Sequence, residues 1–360
     1  DRAIQDFNEA IRLNPNYAEA YTNRGIAYAA KGDNDRAIQD LNEALRLNPN
    51  YAMAYTGRGL VYGTKGDNDR AIQDYNEAIR LNPNQAEPYA LRGFAQGTKG
   101  DNDRAIQDYS EALRLNPNLA NAYTKRGLAY GRKGENDRAI QDYNEALRLN
   151  PNDAEAYIGR GIAYNNKGEN DLAIQDYDEA VRLNPNDALA YNNRGHAYRS
   201  KGDTDRAIQD FNEAIRLNPN YALAYTNRGI AYRTKGDSDR AIQDYNEAIR
   251  LNPKNAGAYS SRGRTRFALA QFQAAQEDFK KALELNATSP YSAIWLYLAR
   301  ARAGQDGGTE LAANVERLKF VGITEQIVLL FLEKTTPDVL FLAAKRSDPK
   351  KQKENLCEAQ

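Results

Sequence analysis

The 360-residue sequence holds one cysteine, one histidine, one tryptophan and one methionine. A single cysteine excludes an internal disulfide framework. A single histidine, His196, removes histidine-based metal sites and most histidine-based catalysis from consideration. Neither sign of charge predominates: 49 Lys and Arg face 49 Asp and Glu, for a formal net charge of zero. A general nucleic-acid binder carries a basic excess, so that class is disfavoured. The longest strongly apolar run, Ile327 to Leu332, falls far short of a membrane span. No secretory leader is visible, and the chain opens on Asp1 rather than Met, which leaves room for an upstream segment. What the chain does have is an apolar fraction of 41%, enough to build a core and too much for a disordered chain. It also has 24 tyrosines against nine phenylalanines, a bias that points to internal repetition.

The repeat is explicit. Pro15, Pro49, Pro83, Pro117, Pro151, Pro185, Pro219 and Pro253 stand 34 residues apart, and the text of Asp1 to Ala18 recurs unchanged at Asp205 to Ala222. Each period reads as two helices. In the period from Ala18 to Tyr51, Tyr21, Gly25 and Tyr28 fall on one face of a first helix. Gly32 follows at a C′ position that favours φ > 0. Asp33 is placed to cap the second helix, with Asp35 near its positive end. Ala37, Ile38, Leu41, Ala44, Leu45 and Leu47 form that helix's apolar side. Asn48-Pro49-Asn50 ends it, because the residue before proline is pushed out of the α region.

Tyr21, Gly25, Tyr28, Ala37, Leu41, Ala44 and Pro49 match in order the pattern of the tetratricopeptide (TPR) repeat, and the sequence resembles that family over about four fifths of its length. Eight full repeats are expected: 18–51, 52–85, 86–119, 120–153, 154–187, 188–221, 222–255 and 256–289. Residues 1–17 read as the second helix of a truncated repeat. The resemblance implies an all-α right-handed superhelical solenoid of helix-turn-helix repeats. Departures are few. Gln96 and Arg266 replace the second tyrosine in the third and eighth repeats, and the eighth also has Ala270 and Ala287 for the turn glycine and the terminal proline. The seventh residue of every repeat is Arg, where the family usually has Leu, and an Asp recurs in every second helix, from Asp6 to Asp278. Their invariance suits a structural Arg–Asp ladder, since Arg meets a carboxylate bidentately; an anion-binding arginine track is the functional alternative.

From Pro290 the repeat text stops. A helix around Trp295 and three more apolar segments within 309–346 read as a cap over 290–360. The run WLYLARARAG and the short helices after it are also similar to the C-terminal part of NlpI-type bacterial TPR lipoproteins. That similarity implies the bacterial envelope or periplasm as the location, with the cytoplasm as the alternative.

No catalytic constellation is present. His196 and Cys357 are separated by some 160 residues of repeat, and there is no nucleophile elbow, phosphate loop or dinucleotide fingerprint. The acidic KGDNDRA turns lack the ligand spacing of a calcium loop. No enzyme, metal or cofactor is expected.

What remains is surface. In TPR proteins the first helices line the concave face, so the resemblance implies that ligands lie there, at positions that vary between repeats. The sixth positions include Asn23, Lys125, Asn193 and Asn227. Asparagine there resembles the ladder by which some TPR superhelices hold a peptide backbone, since a carboxamide both donates and accepts. The second positions carry no basic residue, against a carboxylate clamp of the co-chaperone type. The ninth, twelfth and thirteenth positions are small and apolar early, then basic and amide-rich: Arg132, Asn165, Asn166, His196, Arg199, Arg233 and Arg264. With Asn192 these residues make the candidate groove. An extended, partly acidic peptide is the expected ligand, with Arg199 and Arg233 bracketing a carboxylate or phosphate and Asn193 and Asn227 holding backbone. Self-association into a scaffold is the second reading, motivated by Ile4, Phe7 and Ile11, which lack a partner helix.

Overall fold

The computed structural model describes residues 2–286, 289–306, 308 and 311. All its regular elements are α-helices. The three apolar segments within 309–346, on which the cap and the lipoprotein similarity mostly rest, lie outside the described residues, as does Cys357. The chain divides into two compact units, 1–185 and 186–360.

The first unit opens on α1 (Arg2–Leu13), followed by five helix pairs. The first helices are α2 (Ala18–Ala30), α4 (Ala52–Thr64), α6 (Ala86–Thr98), α8 (Ala120–Arg132) and α10 (Ala154–Asn166). The second helices are α3 (Asn34–Leu47), α5 (Asn68–Leu81), α7 (Asn102–Leu115), α9 (Asn136–Leu149) and α11 (Asn170–Leu183). In the second unit the first helices are α12 (Ala188–Ser200), α14 (Ala222–Thr234) and α16 (Ala256–Ala268). Their partners are α13 (Thr204–Leu217), α15 (Ser238–Leu251) and α17 (Phe272–Leu285), and α18 (Pro290–Arg302) packs on α17.

The turn chemistry explains the boundaries. Gly32 takes φ +80°, and the equivalent glycine of each later repeat through Gly236 is likewise left-handed. Asp33 then caps α3, its carboxylate accepting from the Arg36 N–H at 3.2 Å. In the last repeat the glycine is replaced, yet the backbone keeps its course: Ala270 adopts φ 56°, a conformation that costs a side-chain-bearing residue about 1–2 kcal/mol.

Within a pair the close approach is set by one ring and one glycine. Tyr177 on α11 is 1% exposed. A Cβ placed on Gly161 of α10 would sit 2.7 Å from that ring, so only glycine fits. Phe211 with Gly195 and Phe279 with Gly263 repeat the arrangement in the second unit.

The Arg–Asp ladder is present. Arg58 on α4 donates through Nε and Nη2 to the two oxygens of Asp74 on α5, at 2.9 and 2.7 Å. Its third group, Nη1, reaches back 2.7 Å to Asn42 on the preceding α3. Arg58 therefore ties its own pair together and ties that pair to the one before. Arg24, Arg92, Arg160, Arg228 and Arg262 do the same with Asn8, Asn76, Asn144, Asn212 and Asn246. The guanidiniums also lie over the tyrosine three residues earlier, 5.6 Å from the centroid for Arg58 and Tyr55, a cation–π contact.

In the second unit Trp295 of α18 takes the place of a repeat's packing face. It stacks on Phe279 at 6.1 Å and meets Phe267 edge-on at 5.2 Å. The apolar side of α17 is thus covered by a helix from outside the repeat text.

Candidate functional site

The first helices of each unit touch their successors, α2 to α4 through α8 to α10 in one and α12 to α14 to α16 to α18 in the other. Varying residues on these helices therefore meet across repeat boundaries.

In the first unit most candidate polar groups are already engaged. Lys125 on α8 reaches both carboxylate oxygens of Glu155 on α10, at 2.6 and 2.7 Å. Arg132 donates to the Gly97 carbonyl at 3.0 Å. Together Lys125 and Arg132 rim a cleft of about 520 Å³ walled by Phe94 and Tyr109. Asn166 is exposed and donates to Asn136 at 3.4 Å. Asn165 beside it is half-buried, and Asn23 stands three repeats away from the Lys125 cleft, half-buried on α2.

In the second unit the candidates form a connected group. Asn192 on α12 is 3% exposed and accepts a 2.9 Å hydrogen bond from Asn227 on α14. Asn192 in turn donates to Asn193 at 3.4 Å. Asn227, expected to hold a peptide backbone, is 8% exposed and donates one of its two amide hydrogens across the helix interface. Asn193 differs, because its buried Nδ2 has no partner among the described residues.

One turn further along the same helices lie the cations. His196 and Arg199 are half-buried on α12, and burial with the Arg199 charge pushes the His196 pKa below its usual value. Burial, with Arg233 on α14 adding like-charge repulsion, lowers Arg199. The same two causes lower Arg264 on α16. Arg264 lies over Trp295, 5.7 Å from the ring. The buried Tyr245 hydroxyl of α15 sits among Arg233, Arg264 and Thr265. The buried Nε atoms of Arg199 and Arg233 have no hydrogen-bond partner among the described residues.

The electrostatic setting is one-sided. Helices α12, α14, α16 and α18 contain no Asp or Glu. The other arginines of the three first helices have carboxylates from second helices. Arg194 pairs with Asp210 and Arg228 with Asp244, while Arg262 and Arg266 both reach Asp278. Arg199, Arg233 and Arg264 are the exceptions among the described residues.

Two contributors went unread in the sequence. Tyr245 occupies the ring position that reads as core, and Trp295 lies outside the repeat text. The absence of acids from α12, α14, α16 and α18 is the sequence signal that singles out this face. Among the described residues, no group of three or more His, Cys, Asp or Glu side chains converges to hold a metal ion, and no helix is long and apolar enough to cross a membrane.

Comparison with known proteins places this geometry. A model described as TPR repeat matches residues 1–32, 98–134 and 195–236. Models described as tetratricopeptide repeat match 24–86, 124–188, 176–209, 222–255 and 256–289. No curated protein matches the sequence. Among solved structures, a tetratricopeptide repeat protein from Parabacteroides merdae is 26% identical with a TM-score of 0.57, covering 69% of this chain and 98% of its own. The Cut9–Hcn1 hetero-tetramer of the APC/C has a TM-score of 0.59 at 19% identity and covers 82% of this chain, which spans 58% of that one. PilF of Pseudomonas aeruginosa has a TM-score of 0.51 at 19% identity, covering 57% of this chain and 94% of its own. At 19% identity the likeness is one of fold.

Proposed function

Because the chain belongs to the tetratricopeptide repeat family, a family of protein-interaction scaffolds, we propose that it is a non-catalytic adaptor holding an extended, partly acidic segment of a partner protein. The segment lies along α12, α14 and α16. The row Arg199–Arg233–Arg264 on helices without a single acid carries this reading. A half-buried guanidinium without a counter-charge is costly, and the other arginines of these helices have been given one. An incoming carboxylate or phosphate supplies it by charge-assisted, bidentate hydrogen bonding. The Asn193 amide, whose buried Nδ2 has no partner among the described residues, would donate to a backbone carbonyl of the same segment after a side-chain rotation. The Asn192–Asn227 bond ties α12 to α14, the helices that carry Arg199 and Arg233.

The test is a paired capture from a lysate of the source cells. Wild type is compared with a bait carrying Asn193→Ala, Arg199→Glu and Arg233→Glu. A partner with an acidic segment retained by wild type alone is the expected result. Equal retention by both baits would remove the site from this face. Recovery of only the chain itself would favour the self-associating scaffold.

A further inference from the structure

The row of cations asks for more than one negative charge. Arg199, Arg233 and Arg264 come from three successive helices, and Arg233 is close enough to both others to shift their titration. Neighbouring packed helices lie about 8–10 Å apart, a gap two arginine side chains close from either side. A single carboxylate offers one charge and two oxygens, which one guanidinium fork, or at most two guanidiniums, can share. Where this chain uses a carboxylate, the stoichiometry shows it: Asp210 and Asp244 each take one bidentate arginine, Arg194 and Arg228. Asp278 is shared by Arg262 and Arg266. Three guanidiniums for which the described residues supply no acid exceed what one carboxylate satisfies. A phosphate monoester carries between about 1.5 and 2 negative charges at neutral pH and three acceptor oxygens, each able to accept from more than one guanidinium N–H.

We propose that the row Arg199–Arg233–Arg264 is a phosphate-recognition site, selecting a phosphorylated side chain in the bound segment over an unmodified acidic one. This rests on the acidic-segment reading above. It adds regulation to it: a kinase acting on the partner would switch docking on. Arg233, on the middle of the three helices, is the determinant, while Arg264 lies over Trp295.

The test uses the full chain and three degenerate peptide pools of extended sequence, identical except for a fixed central phosphoserine, glutamate or serine. Retention is compared on wild type, on the triple variant Arg199→Gln, Arg233→Gln, Arg264→Gln, and on Arg233→Lys. The phosphoserine pool should be retained about tenfold better than the glutamate pool, one additional charge-assisted hydrogen bond being worth roughly that. The triple variant should abolish the difference. Arg233→Lys, which keeps the charge and loses the planar fork, should weaken the phosphoserine pool while leaving the fold intact. Retention should also fall as pH drops through about 6, where the phosphate takes up its second proton. The same pH series on His196→Gln separates this loss from the stability that neutral His196 gives up on acidification. Equal retention of the glutamate and phosphoserine pools would overturn phosphate selection and leave the acidic-segment reading standing. If no pool binds wild type better than the triple variant, both readings fall.

Discussion

Breaking one rung of the Arg–Asp ladder exposes how the stack is held. Arg58 and Asp74 meet through two hydrogen bonds, and their side chains are 20% and 7% exposed. Asp74→Ala leaves a mostly buried guanidinium without its partner, and Arg58→Leu leaves a carboxylate almost wholly out of water. Removing one member of such a pair costs about 3–5 kcal/mol; Arg58 retains some solvent, so about 3 kcal/mol is expected for each single change. The double variant Arg58→Leu, Asp74→Leu removes both charges together with their desolvation. Its remaining losses are the bond from Arg58 to Asn42 and the cation–π contact with Tyr55, together about 1–2 kcal/mol. The double variant should therefore cost no more than about 2 kcal/mol, far below the sum of the singles. Urea unfolding followed by far-ultraviolet circular dichroism measures this. It is fitted with a nearest-neighbour model, because repeat arrays depart from two-state behaviour. The Asn42→Ala variant, fitted the same way, should lower the coupling between adjacent repeats and leave each repeat's own stability nearly unchanged. Additive costs in the double variant would refute the claim that the pair is held by mutual compensation.

Other consequences follow from the packing and the charges. Gly161→Ala should destabilise the first unit by about 1–3 kcal/mol, because the new methyl meets the rigid Tyr177 ring at 2.7 Å. Gly131→Ala, where a Cβ meets nothing within 4 Å on helix α8, should instead stabilise by about 0.5–1 kcal/mol. Thermal melts of the pair check both signs. His196 has a folded pKa below its ordinary 6.5, from burial first and Arg199 second. The folded state thus binds its proton less well than the unfolded chain. The contribution to stability is full above 6.5 and is lost as pH falls through 6.5 toward the folded value. His196→Gln should flatten that part of the stability–pH curve, measured by denaturant titration across the range. Replacing Arg199 alone by Gln should raise the His196 pKa, read by proton NMR of its ring.

Much of the fold is legible in the text. Pro49 and its counterparts mark the ends of second helices, Gly32 and Asp33 mark turn and cap, and the ring–glycine pairs mark the contact between helices. Each of these is a local requirement, set by backbone conformation or by residues within one repeat, and repetition writes it out many times. The Arg–Asp ladder is legible for the same reason, since both partners recur at fixed positions. The binding face is legible only in outline. Variation along the first helices points to Lys125, Arg132, Asn227, Arg199 and Arg233 alike, because a polar residue at a varying position looks the same whether spent or available. The tertiary structure separates them. Lys125 pairs with Glu155, Arg132 donates to a backbone carbonyl and Asn227 to Asn192, whereas Arg199 and Arg264 feel the like charge of Arg233. Those partners lie about one repeat away in the chain and come within reach only when one first helix packs on the next. The sequence by itself thus determined the repeat, its boundaries and its internal braces. Stacking decided which charges are neutralised, because pairing across repeats depends on side-chain reach between helices that no local pattern encodes.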